Sequence, residues 1–130
     1  MKDISGAIKF KNYIVDSIKF QNNPEFNKKE VQVQFEPSVD FNITDNNMLV
    51  YLKLDVFKDA YLNNYPFELS VKVVGLFEMN SQECLEKYKA NAVAILFPYV
   101  RSIISTCTSS ANIPALILPT VNINKMLDNE

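Results

Sequence analysis

With 130 residues, the chain suits one domain with a real core and leaves little room for a second. Hydrophobic residues make up 48% and charged residues 22%, a balance that excludes disorder over most of the length. The net charge is −2 and the lysines stand singly except at Lys28-Lys29, so no basic stripe can follow a phosphate backbone and nucleic-acid binding is excluded.

The N-terminus MKDISGAIKFKNY has no long apolar run, and no segment reads as an uninterrupted membrane span, so the expectation is a cytoplasmic protein without membrane insertion. A short first strand is predicted around Ile14, Asp16, Ile18 and Phe20, closed by Asn22-Asn23-Pro24. From Glu30 to Thr44, EVQVQFEPSVDFNIT alternates strictly and predicts a long strand with one covered face, carrying Val31, Val33, Phe35, Val39, Phe41 and Ile43. Pro37 on that face predicts an edge, a bulge or a bend. After the turn residues Asp45-Asn46-Asn47, a hairpin strand follows with Met48, Val50, Leu52, Leu54 and Val56. KDAYLNNYP turns the chain again, and Phe67, Leu69, Val71, Val73, Gly75, Phe77 and Met79 form a fourth strand.

The period changes at Ser81, which with Glu83 and Glu86 predicts a helix start. One face of the predicted helix holds Leu85, Tyr88, Ala92, Leu96, Tyr99, Ile103 and Thr106 or Cys107. Val93, Phe97, Val100 and Ile104 make a second apolar stripe, so the helix is expected to be covered on both sides. Pro98 falls mid-pattern and predicts a kink or a division. Beyond Ser109-Ser110, IPALILPT reads as an extended apolar connection because of Pro114 and Pro119, and VNINKMLDNE as a short last helix. Cys84 and Cys107, without CxxC spacing, read as buried free thiols.

Histidine is absent, two glycines cannot build a phosphate-cradling loop, and no nucleotide or nucleophile-elbow motif is present. Neither a catalytic site, a metal site nor a cofactor is implied. Binding through apolar surface is what the residues leave.

The stretch ILFPYVRSIISTCTSSANIPALILPTVNI resembles the SecB export chaperones, whose main helix carries an LFPYAR-like motif followed by a PxLxLxPVNF-like connection. Leu96 to Arg101 answers to the first and Pro114 to Ile123 to the second; FEPSVDFNI and Gly75-Leu76-Phe77 resemble strand segments of the same family. The resemblance implies an α+β fold: a four-stranded antiparallel sheet followed by a long helix, an apolar crossover loop and a short C-terminal helix. It also implies a homotetramer, a dimer of dimers with the long helices between two eight-stranded sheets, acting as an ATP-independent holdase for unfolded preproteins.

On that basis a client groove is expected with Phe35, Val39, Phe41, Ile43 and Phe77 as floor, and Ile113, Leu116, Leu118, Val121, Ile123, Met126 and Leu127 as rim. The same residues also read as ordinary core. Subunit contacts are expected from Leu69, Val71 and Val73 of the fourth strand and from Val93, Val100 and Ile104 of the helix, with the role of Arg101 open. Ser17, Gln21 and Ser70 stand where the family carries carboxylates for the motor protein SecA, which argues against SecA as a partner. A SecB-like chaperone of a toxin–antitoxin system is the alternative within the family. From other classes, a small apolar-ligand-binding module and a hotdog-type thioester enzyme remain, the latter disfavoured because its long helix comes early.

Overall fold

The computed structural model describes residues 8–113 and Leu127. Among the described residues there are four strands: β1 (Ile8–Asn22), β2 (Phe35–Thr44), β3 (Asn47–Val56) and β4 (Phe67–Met79). A one-turn helix, α1 (Ala60–Asn63), links β3 to β4, and a long helix, α2 (Leu85–Ser110), follows the last strand. All strand pairs are antiparallel and the order is β1-β4-β3-β2.

The alternation in β3 and β4 sets the core. Met48, Val50, Leu52, Leu54 and Val56 lie buried on the same face as Leu69, Val71, Val73 and Phe77, and α2 covers that face. Gly75 is required there by close approach, not by its dihedrals. A Cβ at this position would stand 2.7 and 2.8 Å from the two Cδ atoms of Leu96 and 2.9 Å from Phe77 Cε1, so the missing side chain is what lets α2 settle on β4.

β1 is longer than its pattern suggested. Two bulges interrupt its pairing with β4, leaving Lys11 and Asp16 without partners in the register. Each extra residue reverses the faces, so Val15, Ile18 and Phe20 share the helix side while Ile14 lies on the other. The bulge residues fold back on β4, Lys11 to Glu78 at 3.7 Å and Asp16 to Lys72 at 3.8 Å. A period-two reading cannot follow a strand that changes phase twice.

β2 begins at Phe35 rather than Glu30, although Val31 and Val33 still pack against the core. Pro37 neither bulges nor bends the pairing with β3. Thr44 and Asn47 flank a two-residue turn and exchange the closing hydrogen bonds, so bonds to β3 fall to even-numbered residues of β2. The donor that Pro37 lacks would have pointed away from β3.

Pro98 does not divide α2, which is continuous. Pro98 and Ala94 are both exposed, so water can take the carbonyl bond that the proline leaves unmade. By length and a mean hydropathy of 1.3, α2 is long and apolar enough to cross a membrane, but its apolar side is packed on its own sheet, as core helices are.

The segment between β3 and β4 is more structured than a turn. Asn23 is buried and donates through Nδ2 to the carbonyls of Ala60 (3.3 Å) and Tyr65 (2.9 Å), while its Oδ1 accepts from the Glu25 amide at 3.1 Å. The Glu68 carboxylate accepts from the Ala60 amide at 3.0 Å. These bonds hold three non-glycine residues, Phe57, Asp59 and Asn64, at positive φ. Asn23→Ala removes the side-chain donor to the Tyr65 carbonyl and one of the donors to the Ala60 carbonyl, which also accepts from the Tyr65 amide at 2.9 Å, and is expected to cost about 1–2 kcal/mol, measured as a lowered urea midpoint. An unchanged midpoint would contradict this account of the loop.

Candidate functional site

Three rows of residues at four-residue spacing run along α2. Tyr88, Ala92, Leu96, Val100, Ile104 and Thr108 form the middle row, and every one of them is buried. Such rows incline to the helix axis, and α2 lies across the sheet so that this ridge follows it from end to end. Lys89, Val93, Phe97 and Arg101 form the next row, which begins beside β2, where Lys89 Nζ lies 5.1 Å from the centroid of the Phe41 ring. On the other side, Ile95, Tyr99, Ile103 and Cys107 look toward β1. The Tyr99 ring packs there at a tilt, 4.6 Å from Tyr13 and 5.8 Å from Phe10.

The helix is narrower than the sheet, and both flanks keep apolar surface. On the β2 side, Phe35, Phe41 and Ile43 are half-buried. On the β1 side, Val15 (43% exposed), Ile18 (45%) and Phe20 (37%) lie on the helix side of the sheet with little above them, beside Tyr99 at 38%. From β1 to β2 this side of the sheet carries no charged residue. On α2, Lys89 lies over the Phe41 ring and Arg101 over the ring of Phe97 on the same helix, the latter at 5.7 Å.

The predicted floor divides. Phe35, Phe41 and Ile43 keep open surface, whereas Val39 and Phe77 are core residues, covered within the chain. Of the predicted rim, Ile113 and Leu127 pack against the core cluster, and Leu116, Leu118, Val121, Ile123 and Met126 lie outside the described residues.

The residues expected at subunit contacts, Leu69, Val71, Val73, Val93, Val100 and Ile104, are all fully buried within the one chain. The second stripe is buried along its whole length, whereas past Pro98 the first one opens, Tyr99 being exposed and Ile103 and Cys107 half-buried, because a buried row at four-residue spacing drifts about 40° per step around a helix of 3.6 residues per turn. The cysteines are free, Cys84 exposed and Cys107 half-buried, so only part of the expected burial is found.

The opposite face of the sheet carries two cross-strand apolar runs that the pattern reading passed over, Ile14–Val74–Tyr51 and Leu76–Leu49. Ser17, Gln21 and Ser70 are on this face, with Lys72 opposite Ser17 and Asp55 opposite Ser70. An open recess at its β2 edge is lined partly by Ser38, Asp40, Asn42, Tyr51, Lys53 and Lys72, a polar lining unlike a closed apolar cavity. Among the described residues no three His, Cys, Asp or Glu side chains come close enough to hold a metal ion.

A four-stranded antiparallel sheet of order β1-β4-β3-β2, followed by one long helix that leaves apolar surface on both flanks, is a SecB-like architecture. The family of the preprotein translocase subunit SecB matches residues 3–130, and the chain belongs to that family. It is 39% identical over 131 residues to the uncharacterized protein MJ0357 of Methanocaldococcus jannaschii, covering 95% of this chain and 84% of that protein. It is 31% identical over 100 residues to the protein-export protein SecB of Ehrlichia ruminantium, covering 67% of this chain and 58% of that protein. Among solved structures, the fold is similar to the Mycobacterium tuberculosis SecB-like chaperone Rv1957 in complex with a ChAD peptide from the Rv1956 HigA1 antitoxin. That likeness has a TM-score of 0.68 at 13% identity and covers 91% of this chain and 93% of the other.

Proposed function

We propose that the protein is a cytoplasmic, non-enzymatic holdase that binds unfolded polypeptides without ATP in the apolar channel between α2 and β2. The observation that carries this reading is the uncharged, half-open strip of Phe35, Phe41 and Ile43 beside a helix too narrow to cover it. Exposed apolar strips of this kind mark interaction sites, and burial contributes about 25 cal/mol per Å², so several weak contacts along one client add up. Leu116 and Leu118 are assigned to the rim of the same channel.

Two client sets fit this mechanism. Relatives named protein-export protein SecB support service to preproteins, with SecA disfavoured as partner because Ser17, Gln21 and Ser70 are uncharged. The antitoxin peptide held by the M. tuberculosis chaperone supports an antitoxin client. In both cases the working form is a homotetramer, a dimer of dimers, whose contacts fall on the flank of Val15, Ile18, Phe20, Tyr99 and Ile103.

The test is aggregation of a chemically unfolded protein diluted into buffer without nucleotide. The chain at equimolar concentration should suppress the light-scattering signal, and Phe41→Ser combined with Ile43→Ser should lose most of that effect while keeping its far-UV spectrum. Unimpeded aggregation in the presence of the wild-type chain would refute the holdase reading.

A further inference from the structure

We propose that Lys89 is a removable cap on Phe41: its ammonium covers the ring in the empty protein and gives way to an apolar side chain of the client. The inference rests on the holdase reading above and adds a closing device to that site.

Lys89 stands near the start of α2, where the helix passes β2, and its Nζ lies 5.1 Å from the centroid of the Phe41 ring. The course of its side chain is informative. A carboxylate is at hand, Glu86 at 3.5 Å, yet the Glu86 side chain is 87% exposed whereas that of Lys89 is 24% exposed. Lys89 is therefore laid down toward the sheet while its carboxylate neighbour stays in water, where such a pair is worth little. Its methylene stem covers apolar surface and its charge rests on a ring face, as long cations do beside aromatic residues. The helix-side residues of β2, Phe35, Pro37, Val39, Phe41 and Ile43, are uncharged, so the ring is what holds the ammonium to that strand.

The strength of the contact suits a cap. A cation over a ring that is partly open to water shifts an equilibrium by about two- to fivefold. That is enough to keep the ring covered in the empty state and too little to resist a client side chain that buries the same surface. On leaving, the ammonium returns to water beside Glu86, so its displacement strands no buried charge. The cap also answers a hazard of any receptor with an open apolar strip, which invites copies to associate when no client is bound.

The experiment uses the full chain and a fluorescent peptide of apolar residues that includes one Phe, with binding followed by anisotropy. Lys89→Gln removes the charge at similar length and should tighten binding by about two- to fivefold. Lys89→Arg keeps a cation for the ring and should restore the wild-type affinity. In a Phe41→Leu background, which has no ring face to cover, Lys89→Gln should make no difference. The side-chain methylene protons of Lys89 should be displaced upfield by the ring in the free protein and return to ordinary positions with saturating peptide. Binding by Lys89→Gln that is unchanged or weaker, Lys89→Arg that binds as tightly as Lys89→Gln, a gain that persists in the Phe41→Leu background, or methylene signals that ignore the peptide each overturn the cap and leave the holdase reading standing. A wild-type chain that binds no peptide overturns both.

Discussion

Leu96→Ala is expected to destabilise the protein by about 2–5 kcal/mol, because a fully buried side chain at the centre of the middle helix row is replaced by a cavity. Gly75→Ala alone should cost about 1–3 kcal/mol, since its methyl would intrude on Leu96 and Phe77 at distances that packed atoms do not tolerate. The two together should cost less than their sum by about 1 kcal/mol or more, the new methyl entering space the leucine vacated. Urea unfolding of the four proteins at one concentration gives the cycle. Strict additivity would mean that α2 does not sit on Gly75 as described.

Ile18→Asp with Tyr99→Asp should break the assembly and leave the fold intact. Both side chains are well exposed in the single chain, so a carboxylate costs the monomer little. Within an apolar contact between copies, the same carboxylates would be buried without partners. Light scattering should report a mass reduced to roughly half or a quarter of the wild-type value. Cys107 supplies a second readout, since it shares the row of Tyr99 and its thiol is pushed up by burial, which keeps the reactive thiolate scarce. Labelling at Cys107 should be slow in the wild type and faster in the variant, with exposed Cys84 prompt in both. An unchanged mass and unchanged labelling would place the subunit contacts elsewhere.

Where the pattern was regular, the sequence reading matched the fold. β3 and β4 alternate without interruption, and their residues from Met48 to Val56 and from Phe67 to Met79 occupy the predicted faces. β1 was shortened in the reading because bulges at Lys11 and Asp16 reverse its phase, which no fixed period can register. The helix was legible in its end at Ser110, but it starts at Leu85 rather than at Ser81, and its faces were not legible. A strict four-residue spacing from Tyr88 to Thr108 winds around the helix, so a face drawn at an average period of 3.6 residues is right before Pro98 and wrong after it. That spacing was visible in the sequence and would have placed Val100 and Ile104 in the core. α1 was missed because its order comes from Asn23, thirty-seven residues away from Ala60, and not from local propensity. On β2, Phe35, Phe41 and Ile43 read as apolar strand residues, and alternation alone could not separate them from Val39. All four lie on one face of one strand, and only what packs above each decides its exposure.

Amide hydrogen exchange of the full chain, with and without a saturating unfolded client, tests the central claim most directly. The account predicts new protection in β2 from Phe35 to Thr44 and in α2 between Leu85 and Arg101, with the strands' opposite-face residues Leu49, Tyr51, Val74 and Leu76 unaffected in side-chain methyl and ring spectra recorded on the same complex. Client-induced changes confined to that opposite face, with β2 and α2 exchanging as in the free protein, would contradict it.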